Sequence, residues 1–419
     1  MNTLLKSATI IDSSSAYHQQ QKDILIIDGE IAKIADKITH NNKDTVVALK
    51  NLHVSIGWFD TSVSFGEPGF EERETIKNGL NVAAKSGFTA IAINANTSPV
   101  IDNKSAVEFL INKSVNAATT LYPIGALTQG SKGIDMAELY DMKQFGAVAF
   151  ADYNKPIAND NLLKVALQYA QNFDGLIFSF PKNNSIAGKG IVNEGVNSTK
   201  LGLKGIPALA EHLQIARDLF LLEYTGGKLH IPTISTKKSV LLIKEAKKKG
   251  LDITCSVAAH HLVLTDDELP DFDSRYKVNP PLRTNEDTKA LIKGVTSGVI
   301  DIITSDHNPI DIENKKVEFS EAKDGTIGLE SMFGAVNSVL ETTDFIEAIT
   351  YNPRKRFDIT VPKIAEGSQA DITLFNPEGN HTFSIADILS TSKNSIFIDK
   401  KLKGKAYGVF ANNQLILNQ

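Results

Sequence analysis

The sequence predicts an α/β protein: a (β/α)8 TIM-like barrel beside a small composite β domain, of sandwich type, drawn from both termini. Three observations carry this expectation. Between residues 53 and 306, eight apolar runs alternate with amphipathic stretches, the order that a closed parallel barrel requires. The two ends of the chain show short strands and turns instead. No glycine-rich phosphate turn follows the first apolar run, where an open doubly wound sheet would usually carry one; GEPGFEE, residues 66–72, is not one.

In chain order, LLKSATIID, KDILIIDGEIAKIA and TVVALKNLHVS read as strands of the N-terminal part, with Asp28-Gly29 as a hairpin turn. The barrel strands are then HVSIGWF, FTAIAIN, TTLYPIGAL, AVAFAD, GLIFSF, GKLHIPTIS, DITCSVAA and IDIITSD. Helices between them include ETIKNGLNVAAKSG, DNLLKVALQYAQN, IPALAEHLQIARDLFLLEYTG and KKSVLLIKEAKKKG. Residues 181–204 and 259–285 are long insertions after barrel strands, where βα loops build a site, so they are the lid candidates. A helical stretch near 329–357 precedes the closing strands VPKIAEGSQADITLFNP and YGVFANNQLILN. The expected division is 1–53 and 358–419 for the composite β domain and 54–357 for the barrel.

Composition narrows the class. The chain has 419 residues, 42% hydrophobic and 22% charged, an ordinary balance for a globular protein. A net charge of -5 supplies no basic footprint for nucleic acid or an anionic membrane. The single cysteine, Cys255, allows no internal disulfide and suits a reducing compartment. With no signal-like apolar start and no run of membrane-spanning length, the expectation is a cytoplasmic protein.

The most informative stretch follows the first barrel strand. Asp60-Thr61-Ser62-Val63-Ser64-Phe65-Gly66-Glu67-Pro68-Gly69 resembles the D-x-H-x-H-x-R-x-P-G pattern of the dihydroorotases, cyclic-amide hydrolases of the amidohydrolase superfamily. The frame is intact, but serines replace both histidines and glycine replaces the arginine. Elsewhere FADYN resembles F-[ST]-D-D-G, HIPTIST resembles H-x-x-H-x-S-T, and ITSDHNPI resembles A-T-D-H-A-P-H. NANTSPVID (residues 94–102), the segment NEGVNSTKLGLKGIPALAEHLQIARDL (residues 193–219), TIGLE and EGSQADITLF extend the likeness over nearly the whole chain.

The resemblance implies a barrel of the metal-dependent hydrolase type. There zinc activates a water and an aspartate shuttles the proton. It also implies where the ligands would stand: Ser62, Ser64, Asp152, Phe180, Thr233 and Asp306 occupy those positions. A serine hydroxyl is a far weaker zinc ligand than imidazole, so no bound metal is expected. Four ligand histidines are replaced; two carboxylates remain. By the same resemblance Asp306 holds the general-base position, and Asn96, Asn279 and His307 hold substrate-binding positions. For the two asparagines, a turn role is the competing reading. His230, His260, His261 and His307 are the histidines that could rebuild a site, with packing as the plainer reading of His260-His261.

Three functions remain open at this level. The resemblance includes non-catalytic homologues that act as structural partners of aspartate carbamoyltransferase. A working cyclic amidohydrolase with a reduced metal site, or with acid-base chemistry by Asp306, is the second. A module that binds a small-molecule pyrimidine precursor is the third. A homodimer is expected from the family's habit.

Overall fold

The computed structural model describes residues 2–42 and 44–418; Met1, Lys43 and Gln419, which fall within the expected terminal ranges, lie outside the described residues. Asn2–Ile10, Gln21–Ile27 and Glu30–Ala35 form an antiparallel meander. Its tight turn is Asp28-Gly29, with φ of 49° and 88°, the left-handed pair that a type I′ hairpin needs. Asn2–Ile10 also pairs in parallel with Thr45–Val47 and His53–Ile56. His53–Ile56 in turn pairs antiparallel with Ile372–Thr382, and Lys401–Ala411 and Gln414–Leu417 complete the edge. The composite domain thus takes the form of one eight-stranded sheet carrying both ends of the chain. Leu5, Ile24, Val54, Ile372 and Phe410 share its buried core.

The barrel strands are Trp58–Val63, Phe88–Ile93, Thr120–Gly125, Ala149–Phe150, Leu176–Phe178, Lys228–Ile231, Ile253–Ala258 and Ile302–Thr304, each hydrogen-bonded in parallel to the next. Two backbone bonds bridge the last to the first: Ser64 N–H to the His307 carbonyl (2.7 Å) and His307 N–H to the Ser62 carbonyl (3.1 Å). The barrel interior is filled by Phe59, Ala90, Ala92, Ile124, Phe178 and Phe357. Each of the eight apolar runs read from the sequence contributes a barrel strand. HVSIGWF is shared: its first half joins the composite sheet and its second begins the barrel. Gly57 sits at the break, where a Cβ would lie 1.9 Å from Thr89 Oγ1 and 2.0 Å from Asp371 Oδ1, so any side chain there would displace both neighbours.

Three barrel helices lie side by side: α1 (Asp160–Ala170), α2 (Leu209–Thr225) and α3 (Lys237–Lys248). Barrel and sheet are joined by Trp58, whose ring stacks on Phe333 at 4.7 Å and meets Phe375 at 5.5 Å. The buried Arg354 donates to the Gly57 carbonyl (2.5 Å) and Thr89 Oγ1 (3.1 Å), and reaches Asp371 Oδ2 at 3.4 Å. The stretch 329–357 is broken into short turns of helix, Met332–Val336, Thr342–Phe345 and Tyr351–Arg356.

The strand ends open under three coverings. Insertion 181–204 contains the short helices Asn184–Ala187 and Val196–Leu201; insertion 259–285 contains Ala259–Val263. The third covering is the return of the C-terminal segment between its two long strands. Asn394 there donates to the Asn308 and Gly325 carbonyls and accepts from Ile310 N–H, while Thr391 N–H donates to Glu74.

Candidate functional site

The first strand delivers Ser62 and Ser64 to the barrel mouth. Below them Asp60 accepts from Ser62 N–H (3.1 Å), Ser305 N–H (3.0 Å) and the Thr304 hydroxyl, which locks the first strand to the eighth. Its complete burial raises its pKa above the ordinary carboxylate value. Ser62 Oγ then donates to Asp306 Oδ1 (3.0 Å). Asn94, at the end of the second strand, donates to Ser62 Oγ (3.3 Å) and Ser64 Oγ (3.2 Å). These four side chains form one neutral-polar network where the strands converge.

Above it lies a small cavity of about 20 Å³, lined by Ser62, Asn94, Tyr153, Phe178, Phe180, Thr233, Ser256, Asn279 and Asp306, among others. Three of these residues hold left-handed backbone: Tyr153 (φ 50°), Thr233 (φ 46°) and Asp306 (φ 49°). For a β-branched threonine that conformation is a true outlier, and such strain collects where side chains must be aimed at a site. Among the described residues Asp306 has one hydrogen-bond donor, Ser62, and burial pushes its carboxyl up to about 7. Burial and the neighbouring Asp306 raise the Tyr153 phenol well above its usual range, so it stays protonated; Ser64 is its hydrogen-bond partner.

The sequence-derived residues divide. Ser62, Phe180, Thr233, Asn279 and Asp306 line the cavity; Ser64 lies one layer behind. Asp152 is not brought to it. Its carboxylate turns to the loop after the preceding strand, accepting from Thr128 N–H (2.9 Å) and the Thr128 hydroxyl, and Tyr153 is the side chain from this strand end that enters the cavity. Asn96 also lies away from the lining; its Oδ1 is buried without a partner. His307 closes the barrel through its backbone while its ring turns behind the floor. There Nδ1 accepts from Gly328 N–H (3.2 Å), the ring edge meets Phe65, and burial pushes the imidazole down to about 3.

The other histidines are packing residues. His230 hydrogen-bonds Thr254 Oγ1 (2.8 Å) and Ser256 Oγ (3.1 Å) beneath the cavity, with its ring 4.4 Å from that of Phe178. His261 Nε2 bonds the carbonyls of Pro280 and Pro281 at 3.2 Å each. His260 packs against it, ring to ring at 4.4 Å. The sequence reading missed Asn94 and Tyr153. Asn94 continues the inward alternation of Ala90 and Ala92, a signal that was legible.

Zinc in such sites is held by imidazole nitrogens and carboxylates. The lining offers one carboxyl group, with hydroxyls, amides and two phenylalanines around it. Among the described residues no three of His, Cys, Asp and Glu converge to hold a metal ion. The donor set does not fit zinc.

A parallel barrel with its polar side chains at the strand ends, joined to a sheet built from both termini, is the architecture of the amidohydrolases. The fold matches the L-hydantoinase (dihydropyrimidinase) of Arthrobacter aurescens with a TM-score of 0.84 at 21% identity, over 100% of this chain and 97% of that one. A dihydropyrimidinase from Brevibacillus agri matches at 0.83 and 20%, over 100% and 96%. Within that class the sequence is specific. Residues 53–239 match the dihydro-orotase-like family model. The chain is 38% identical to a dihydroorotase of Pelotomaculum thermopropionicum over 100% of its length and 99% of the relative's, and 38% identical to one of Acetivibrio thermocellus over 99% of each. This chain belongs to the dihydroorotase family.

Proposed function

We propose that this protein serves pyrimidine biosynthesis as a non-catalytic dihydroorotase homologue in the cytoplasm, and that it acts as a structural partner of aspartate carbamoyltransferase. The observation that carries this reading is the serine–asparagine–aspartic acid network at the strand ends. Ser62, Ser64 and Asn94 satisfy one another, burial pushes the Asp306 carboxyl up to about 7, and Phe180 and Tyr153 line the space above. Without a Lewis acid, nothing at this site lowers the pKa of water from 15.7 towards ~7. A working enzyme would need a second carboxylate at the cavity, and Asp152 is committed to Thr128.

One observation favours a second reading, that of a precursor-binding module. Asn279 lines the cavity with a buried Oδ1 that has no partner, an acceptor available to a ureide N–H. Calorimetry with dihydroorotate and carbamoyl aspartate separates the two readings, since a pure scaffold gives no heat of binding.

The deciding experiment is metal stoichiometry on protein purified without chelator and incubated with zinc, paired with a dihydroorotase assay. Less than about a tenth of a metal per chain and no turnover are expected. One or two tightly held metals, or a measurable rate, overturn the reading. Co-sedimentation with aspartate carbamoyltransferase tests the partner separately; independent migration at micromolar concentrations counts against it.

A further inference from the structure

The cavity at the strand ends holds no positive charge. Its described walls include hydroxyls, amides, aromatic rings and the Asp306 carboxyl, and no lysine, arginine or histidine. The first strand has no room to supply one at Gly66, where a Cβ would stand 1.6 Å from the Phe70 carbonyl oxygen. From the eighth strand, the His307 imidazole is kept neutral by burial and lies behind the floor.

The charge stands next door. A second cavity, of about 10 Å³, lies between the two lid insertions and shares the wall residue Asn279 with the first. Pro181 and Lys182 reach it from one insertion, Pro281 and Arg283 from the other. Arg283 is committed to the protein: it donates to Ser235 Oγ (3.1 Å), Asn193 Oδ1 (2.8 Å) and the Ile206 carbonyl (3.0 Å), with Glu211 at 3.8 Å. Lys182 is not. It is half-buried, yet among the described residues no acceptor bonds its ammonium and no carboxylate pairs with it. Neighbouring loops show how a structural ammonium is treated instead. Lys277 donates to the Ser320 carbonyl (2.7 Å), and Lys315 to the carbonyls of Lys277 and Lys323 (3.0 Å each). Burial lowers the pKa of Lys182 and Arg283 adds to that, while Asp324 opposes it. A cation drawn out of water without a partner is costly, and an anion in the second cavity would remove that cost.

Size and polarity indicate the ligand. Asn279 Oδ1, on the wall common to both cavities, is buried without a partner and so needs a donor. Volumes of about 20 and 10 Å³, taken as room for atom centres, each accept a planar group of about three or four heavy atoms, because bonded atoms lie only ~1.3 Å apart. An amide or ureide on one side of Asn279 and a carboxylate on the other match the two spaces.

We infer that Lys182 is the anion-holding residue of this site, and that the ligand is a short carboxylate bearing an amide or ureide N–H, with the N–H on Asn279 and the carboxylate on Lys182. The inference rests on the ligand-binding reading of the cavity given above. Calorimetry of the full-length protein with ureidoacetate and with its uncharged primary amide tests it. The wild type should bind ureidoacetate about tenfold more tightly than the amide. Lys182→Met, or Lys182→Gln should the first fold poorly, should bring ureidoacetate down to the affinity of the amide, and Lys182→Arg should keep the preference. A wild type that binds both probes equally overturns the assignment to Lys182 and leaves the ligand-binding reading standing. So does a Lys182→Met variant that keeps the preference, or one that weakens both probes alike. A wild type that binds neither probe overturns the inference and the ligand-binding reading together.

Discussion

Two buried carboxyl groups at the same end of the barrel are treated in opposite ways. Glu211, on the rim, accepts from the backbone N–H groups of Ser235 and Thr236 (3.0 and 3.1 Å) and from the hydroxyls of Ser235, Thr236 and Ser239, with Arg283 at 3.8 Å. It sits at the N-terminus of α3, where the helix dipole favours an anion. Asp306, at the centre, has a single hydroxyl donor and a strained backbone. A carboxylate kept for architecture is surrounded by donors. Asp306, with one donor, is pushed by burial towards its protonated form.

The contrast can be broken most strongly at the rim. Glu211→Ala should cost about 3–5 kcal/mol of unfolding free energy in denaturant titrations, because it leaves Arg283 buried beside unpaired donors. At the centre the sign reverses. The folded-state pKa of Asp306, about 7, lies above its ordinary 3.8. Between those values the folded protein retains a proton that the unfolded chain releases, so stability falls as pH rises from about 4 to about 7 and then levels. Asp306→Asn removes that penalty. The variant should match the wild type near pH 4 and exceed it by up to about 4 kcal/mol near pH 8, read from denaturant midpoints at each pH. An equal difference at both pH values would mean that Asp306 is ionised throughout. The smallest expected effect sharpens the comparison at the backbone: Thr233→Gly should stabilise by about 1 kcal/mol, since it relieves a left-handed conformation unfavourable to a β-branched residue.

Much of the architecture was legible in the chain. The eight barrel strands and the two-ended sheet followed from apolar periodicity and turn chemistry, which are local properties. Ser62 lies on its strand, where alternation gives its direction; Phe180, Thr233 and Asp306 lie two residues beyond theirs and line the cavity. Asp152, Asn96 and His307 also lie beyond strand ends and do not line it. Past a strand end alternation stops and the backbone is free to change direction, so the sequence does not tell the two groups apart. Tyr153 at φ 50° takes the cavity while Asp152 turns away, and Asp306 at φ 49° does the same while His307 goes behind the floor. Asn94 was available to the alternation rule, but motif likeness pointed two residues onward, to Asn96.

The composite sheet also has a consequence for how the protein is made. His53–Ile56 lies between Asn2–Ile10 and Ile372–Thr382, so one of its neighbours is synthesised early and the other more than three hundred residues later. At about 5–20 residues per second, the ribosome takes roughly 15–60 s to supply the missing strand. Throughout that interval the nascent chain carries an open, apolar sheet edge, the structure most prone to pairing with another chain. Its yield in a cell is therefore set by whatever shields that edge until the last strands arrive.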